Sequence, residues 1–147
     1  MYAYFRIAVI VLCGMLFGLP AAQADEKFTN LYVELDTSED GDLRALPKEL
    51  KLKAGVNYRL ELVNFSQDQH HVLLAPEFGD AVSTTRVRTY PQRADISGAS
   101  FGKGISLLPG SRVEIYFQAN KAGRYKLFCE DHGHTTAGID VAINVAR

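Results

Sequence analysis

Residues 123–145 read GRYKLFCEDHGHTTAGIDVAINV, and this stretch combines two alternating apolar patterns with a polar loop between them. Successive side chains of a β-strand point to opposite faces of a sheet, so alternate residues share a face. The alternating apolar residues are Tyr125, Leu127 and Cys129 before the loop, and Val141, Ile143 and Val145 after it. The pattern predicts two strands that turn these side chains toward a core. Cys129 then lies at the inner end of its strand.

The same period of two recurs along the rest of the chain. Short alternating stretches are separated by turn signals such as KAGVN, LPGS and ANKAG. Their apolar faces consist of Leu31, Val33 and Leu35; Leu50 and Leu52; Tyr58, Leu60 and Leu62; and Val113, Ile115 and Phe117. About seven short strands with such turns predict an all-β fold, a Greek-key β-sandwich.

Residues 76–104 interrupt this pattern and predict one long irregular connection. The segment contains polar and glycine-rich pieces such as SGASFGKG, and a short helix is predicted around residues 78–87. Long connections in compact domains are usually functional or mobile, and an ordinary surface excursion of the sandwich is the alternative.

The N-terminal residues 1–24 have the features of a secretory signal. Arg6 precedes an apolar run at residues 7–19, and the small-residue ending A-Q-A follows at residues 22–24. The run is too short for a typical membrane span, so we expect cleavage after Ala24. An uncleaved N-terminal anchor is the alternative. The predicted location is the periplasm, with no stable membrane association after cleavage.

Removal of the presequence changes the cysteine count. The chain has two cysteines, and Cys13 belongs to the presequence, so the mature domain keeps Cys129 alone. A lipoprotein anchored through Cys13 is disfavoured because Leu12 stands where a small residue is needed. A single thiol in an oxidising compartment is liable to unwanted pairing, so Cys129 requires a reason. Burial as a small apolar residue is one reason, and metal ligation is another.

Composition and charge indicate one domain and exclude nucleic acid as a partner. The predicted mature domain, residues 25–147, has 123 residues, which suffice for one hydrophobic core. It has 15 Lys and Arg (16 less Arg6) against 17 Asp and Glu, a net charge of −2 with neutral histidine. The sequence lacks the basic cluster or stripe that is typical of nucleic-acid binding.

The four histidines form two pairs. His132 and His134 follow Cys129 by three and five residues, and His70 and His71 precede the apolar run VLL in NFSQDQHHVLLAP. The run predicts a buried strand, so an inward-facing histidine of this pair could complete a site with the C-terminal loop. A thiolate and two imidazoles form the trigonal copper sites of electron-transfer proteins, usually with a weak axial ligand. Zinc accepts the same residues, but a structural zinc site normally has four protein ligands.

Residues 123–145 resemble the C-terminal ligand loop of the cupredoxins, the family of plastocyanin, azurin and auracyanin. The family pattern is an aromatic-rich strand, a cysteine, a loop with histidine, then Gly-Met and a closing strand. NFSQDQHHVLLAP resembles the earlier histidine ligand of the family, and SLLPGSRVEIYF resembles the strand between. The resemblance covers nearly all of the mature domain and implies a Greek-key sandwich that binds one copper ion, as Cu(I) or Cu(II).

Carried over by position, the resemblance implies a set of metal ligands. Cys129 is the thiolate ligand, and His70 is the upstream imidazole, with His71 pointing outward or bracing the loop. A Cys-x4-His spacing selects His134, and a Cys-x2-His spacing selects His132. We prefer His134 and keep His132 as an alternative or supporting ligand.

Ile139 departs from the family pattern, because it occupies the position of the axial methionine and cannot ligate a metal. Three consequences follow from the resemblance. The site is three-coordinate, which favours Cu(I); or His132, Glu130 or Asp131 takes the axial position; or water or an exogenous ligand binds there and opens the site to further chemistry.

The sequence thus predicts a periplasmic mononuclear copper protein that carries single electrons and is not an enzyme. Its partner is a redox protein or a copper donor or acceptor, which the sequence does not name. The alternative is a copper-tolerance protein that sequesters the ion, favoured by spare ligands at His71 and His132. A nucleophilic Cys–His pair is disfavoured because it leaves the pair at residues 70–71 unexplained.

Overall fold

The computed structural model describes residues 27–37, 43–91, 100–129 and 140–147. Within these ranges the chain forms ten strands and one short helix. In chain order they are β1 Thr29–Thr37, β2 Leu43–Leu46, β3 Glu49–Lys53, β4 Asn57–Asn64, β5 His71–Leu74, α1 Pro76–Gly79, β6 Val82–Tyr90, β7 Ile105–Leu107, β8 Arg112–Ala119, β9 Gly123–Cys129 and β10 Asp140–Ala146. The predicted presequence and the predicted ligand loop at residues 130–139 lie outside the described ranges.

The strands form two sheets that pack face to face. The first sheet has the order β2-β1-β4-β8-β6, and the second has the order β3-β10-β9-β5-β7. The pairs β1–β4 and β3–β10 are parallel, and the other described pairs are antiparallel. The predicted all-β sandwich is therefore confirmed. No helix in the described part of the chain is long and apolar enough to cross a membrane.

The core consists of the inward faces of both sheets, as the alternating pattern predicts. In β4 every second residue is buried, and the same holds for β3 and β10. Buried side chains from the predicted apolar faces are Val33, Leu35, Leu50, Leu52, Tyr58, Leu60, Leu62, Val113, Ile115, Phe117, Leu127, Val141, Ile143 and Val145. Burial of each large apolar side chain stabilises the folded state by about 1.5–3 kcal/mol. The apolar face of each alternating strand therefore turns toward the core.

The described part of residues 76–104 is more regular than the sequence predicts. The predicted helix around residues 78–87 is wrong, because the helix α1 is a single turn and the chain then enters the nine-residue strand β6. β6 is an edge strand that pairs with β8 alone among the described strands. Val87 is its one buried residue, so the stretch VSTTRVRTY lacks the apolar alternation that marks a strand. Residues 92–99 of the connection lie outside the described ranges.

Three phenylalanines attach this connection to the core. Phe78 from α1 and Phe101 lie with ring centroids 4.9 Å apart, and each contacts Phe117 of β8 at 5.5 and 5.3 Å. The backbone joins the same place, because the Ala75 amide donates to the Phe101 carbonyl at 2.8 Å. Edge-to-face ring pairs of this kind add to the stabilisation from burial.

The outer face of the first sheet carries a partly buried polar network. The hydroxyls of Tyr116 and Tyr90 both donate to Oε2 of Glu114, at 2.9 and 3.1 Å. Nη2 of Arg59 lies 3.4 Å from Oε1 of the same carboxylate, and Phe28 packs edge-on against Tyr116 with centroids 5.2 Å apart. Glu114 is only 4% exposed on what is nominally an outer face, and its carboxyl group is held by these hydrogen-bond partners.

Candidate metal centre

Cys129 is the last residue of β9 and faces the interior of the sandwich. The predicted inward face of this strand is confirmed, since Leu127 is fully buried and Tyr125 and Cys129 pack against the core. Cys129 is half-buried and has a free thiol. Its sulfur thus lies where β9 reaches one end of the sandwich.

His71 is the first residue of β5, the strand beside β9. The two strands are antiparallel, with Leu73 directly opposite Cys129. Residues two apart share a face, so His71 lies diagonally across from Cys129 on the inward face. The imidazole is fully buried, and its Nδ1 lies 3.9 Å from Sγ of Cys129. The structure therefore brings an imidazole and a thiol together across two core strands.

The separation of these two atoms suits a shared metal ion. Metal–sulfur bonds of about 2.3 Å and metal–nitrogen bonds of about 2.0 Å place the two ligand atoms roughly 3.9 Å apart when the angle at the metal is about 130°. The observed 3.9 Å matches this value without movement of either side chain. A thiol is also only a weak hydrogen-bond donor, so a hydrogen bond alone gives this pair little stabilisation. The residues present fit a thiolate and imidazole metal site.

His70, the predicted upstream ligand, lies at the surface and away from Cys129. Its side chain is exposed, and Nε2 lies 2.7 Å from the hydroxyl oxygen of Ser106 on β7. His71 is predicted to point outward or to brace the loop, and the outward placement is wrong because its side chain is fully buried. The structure brings His71 rather than His70 close to Cys129. The reason is the phase of the strand, because His71 shares its face with Leu73, whose side chain is fully buried. The sequence does not reveal this phase, because residues 72–74 are all apolar.

The remaining predicted ligands lie outside the described residues. His134 and His132 belong to the stretch 130–139. Ile139, which stands at the predicted axial position and is not a ligand, belongs to it too, so all of these predicted roles stay predictions. Among the residues that the structure describes, no group of three or more His, Cys, Asp and Glu side chains could hold a metal ion. Cys129 and His71 by themselves therefore supply fewer protein ligands than the copper and zinc sites considered above.

Asn64, the last residue of β4, bonds to the backbone just before β5 and is missed by the sequence interpretation. It is 1% exposed, and its amide nitrogen lies 2.8 Å from the Gln69 carbonyl and 3.1 Å from the Leu108 carbonyl. Its Oδ1 accepts from the Ser66 amide at 3.0 Å. An asparagine that ends an alternating strand beside a Ser-, Gln- and Asp-rich turn is the available signal, since such side chains commonly bond to nearby backbone.

Comparison with known proteins supports the fold. No protein-family model matches this chain, and no curated protein matches it. Solved structures do. The McoA multicopper oxidase of Aquifex aeolicus has a TM-score of 0.64 at 14% identity, over 82% of this chain and 30% of the oxidase chain. The copper-containing nitrite reductase of Thermus scotoductus has a TM-score of 0.61 at 14% identity, over 82% of this chain and 34% of the reductase chain.

A third match covers nearly the whole of the matched protein. Dithionite-reduced auracyanin of Roseiflexus castenholzii has a TM-score of 0.55 at 17% identity, over 81% of this chain and 98% of the auracyanin chain. By contrast, the matched region spans only about a third of the oxidase and reductase chains. At these identities the likeness concerns the fold, which in this chain is a cupredoxin-like β-sandwich.

Proposed function

We propose that this chain binds one copper ion through Cys129, His71 and a histidine of residues 130–139, and that it carries single electrons. The observation that carries the proposal is the 3.9 Å separation between Cys129 Sγ and His71 Nδ1. A thiolate with two imidazoles is the donor set of trigonal copper sites. The fold supports the proposal, because the matched structures are named as auracyanin, a multicopper oxidase and a copper-containing nitrite reductase.

The finer parts of the site are also proposals. We assign the second imidazole to His134, with His132 as the alternative, and we place Ile139 where the resemblance has an axial methionine. A site without that methionine has either three ligands or a different fourth one. The presequence supports secretion to the periplasm, where metal ligation would protect the single thiol of Cys129 from unwanted pairing.

The two described ligands are suited to electron transfer because the core holds them in place. A bound copper ion would supply reversible one-electron chemistry. His71 and Cys129 stand on adjacent strands. Leu73 and Leu127, each two residues away along the same strand, are fully buried. Close packing of such a core limits the movement of either side chain. Ligands that stay in place need little rearrangement when the charge of the site changes.

Copper sequestration is the weaker candidate. The sequence interpretation favours it partly because His71 is a spare ligand there. In the structure the imidazole of His71 lies 3.9 Å from the thiol of Cys129, and the imidazole of His70 bonds to Ser106. Reversible cycling of one copper distinguishes the two functions, because a sequestering protein would bind more ions or hold Cu(I) too tightly to release its electron.

A copper titration tests the proposed function. The reduced, metal-free protein is titrated with Cu(II) while optical and electron paramagnetic resonance spectra are recorded. We expect an intense thiolate-to-copper band that saturates at one equivalent and is absent from Cys129→Ser. The colour of the band would report the axial position, because a fourth strong ligand makes such sites less blue.

Two results would count against the proposal. A band that survives in Cys129→Ser would remove Cys129 from the site. Copper bound at several weak sites without any charge-transfer band would remove the electron-carrier function and favour zinc or sequestration.

A further inference from the structure

We infer that Asn64 is a positioning residue that presets His71 for the metal before any metal binds. The inference rests on the proposed function, since it concerns the same site. The Asn64 side chain bonds to backbone atoms. It acts on the two backbone segments that determine where His71 lies, namely the turn that leads into β5 and the strand β7 that pairs with β5.

The first segment is the turn between β4 and β5. The amide nitrogen of Asn64 lies 2.8 Å from the carbonyl oxygen of Gln69, two residues before His71. Its Oδ1 accepts from the Ser66 amide at 3.0 Å, and the hydroxyl of Ser66 accepts from the Gln69 amide at 2.9 Å. The turn is thereby closed on the Asn64 side chain, and the start of β5 follows directly from it.

The second segment is the end of β7. The same amide nitrogen lies 3.3 Å from the Leu107 carbonyl oxygen and 3.1 Å from that of Leu108. Leu107 is the residue that pairs with His71 across β5 and β7. One side chain therefore holds both the turn before His71 and the strand partner of His71.

Asn64 also connects this end of β5 and β7 to the opposite sheet. It ends β4 in the first sheet, where its backbone amide donates to the Ser111 carbonyl at 2.9 Å, while β5 and β7 belong to the second sheet. The described contacts thus run from one layer of the sandwich to the other through a single buried amide. Cys129 and His71 stand in the second sheet. This link therefore connects their sheet to the first sheet.

The hydrogen bonds around residue 64 require an asparagine. The NH2 group supplies the two hydrogens that face three carbonyl oxygens, and the Oδ1 oxygen accepts from a backbone amide. Aspartate has the same shape and keeps the acceptor, but its carboxylate would face the three carbonyl oxygens without a donor. A buried carbonyl that loses its donor is unfavourable, so the turn and β7 would move away from residue 64.

The test compares Asn64→Asp with Val145→Ala, a core substitution at the other end of the sandwich. Val145 is buried and pairs with Gly123, the first residue of β9, whereas Cys129 is the last. Two properties are measured in each protein. One is the nuclear Overhauser contact between the His71 ring and the Cys129 β-protons without metal. The other is the affinity for Cu(II).

We expect Asn64→Asp to lose the contact between the two side chains and to bind copper roughly 10–100-fold more weakly, the usual effect of losing a group that orients a ligand. Val145→Ala should keep both properties, although it also lowers stability. If Asn64→Asp does not fold, Asn64→Ser is measured instead, because its hydroxyl keeps one donor but is too short to reach all of its partners.

The outcomes separate this inference from the proposed function. A variant at residue 64 that keeps the contact and the wild-type affinity overturns the positioning role and leaves the copper site intact. A wild-type protein that shows the contact but binds no copper overturns the proposed function. In that case the loss of the contact in the variant still supports the role of Asn64, and its retention overturns that role.

Discussion

His70 and His71 are chemically identical neighbours with opposite environments. One imidazole is exposed and bonds to Ser106, and the other is fully buried beside Cys129. The difference comes from the strand period, because adjacent residues point to opposite faces. The chemical type of the side chain therefore says little about ligation until the phase of the strand is known.

A pair of glutamine substitutions tests which histidine binds the metal. We expect His71→Gln to remove the normal thiolate-to-copper band and to weaken copper binding by more than the roughly 10–100-fold that loss of an outer partner costs. His70→Gln is the matched control, one residue away, and should leave the band and the affinity unchanged. The reverse result would return the ligand role to His70 and contradict the observed register of β5.

At the scale of elements, the segment after β5 shows how a strand can form without an alternating pattern. β6 has β-branched residues at Val82, Thr84, Thr85, Val87 and Thr89, which favour extended backbone. It pairs with β8 along its length, with an irregularity between Thr84 and Arg86. An edge strand with a mostly polar surface needs few buried residues, so its sequence carries little periodic signal.

The aromatic contacts at Phe101 hold this segment, and their removal should be costly. Phe101 is fully buried between Phe78 and Phe117. We expect Phe101→Ala to lower the free energy of unfolding by about 3–5 kcal/mol, the usual cost of a large cavity in a core. Denaturant unfolding measures this change.

Leu108→Ala is the control for that measurement. Leu108 is 53% exposed, so its truncation should change stability by about 0.5 kcal/mol or less. If Phe101→Ala lowers the free energy of unfolding as little as Leu108→Ala does, Phe101 does not attach the connection to the core.

At the scale of the whole molecule, the outer face of the first sheet links stability to pH. Burial, followed by the hydrogen bond from its hydroxyl to Glu114, raises the pKa of Tyr116 above its ordinary value of 10.0. Burial and the charge of Glu34 raise the pKa of Tyr32 in the same direction. The folded state thus holds these protons more tightly than the unfolded state. Their contribution is fully present below pH 10 and is lost as the pH rises through the folded pKa values.

We therefore expect the free energy of unfolding to fall as the pH rises above about 10. In Tyr116→Phe the decline should be shallower, because one of the two phenols no longer titrates. Leu46→Ala, a change at an exposed residue without a phenol, should keep the wild-type slope. Unfolding curves measured between neutral and strongly alkaline pH give these slopes. Equal slopes in Tyr116→Phe and wild type would show that Tyr116 does not link stability to pH.

The sequence by itself determined the all-β class, the inward faces of the alternating strands and the position of Cys129 at the inner end of its strand. Each of these depends on the period of two, which is local and is reinforced by burial of residues such as Leu60, Leu127 and Ile143. The two histidine clusters likewise indicate a metal site through residue type and spacing alone. These features require no information about which strands become neighbours.

Tertiary structure alone decided the rest. The pairing of β5 with β9 brings His71 to Cys129, and the pairing of β5 with β7 brings Leu107 within reach of Asn64. These contacts join residues 58 and 43 positions apart, so no local pattern encodes them. A register is settled by the packing of whole sheets, and a shift of one residue would exchange the faces of His70 and His71.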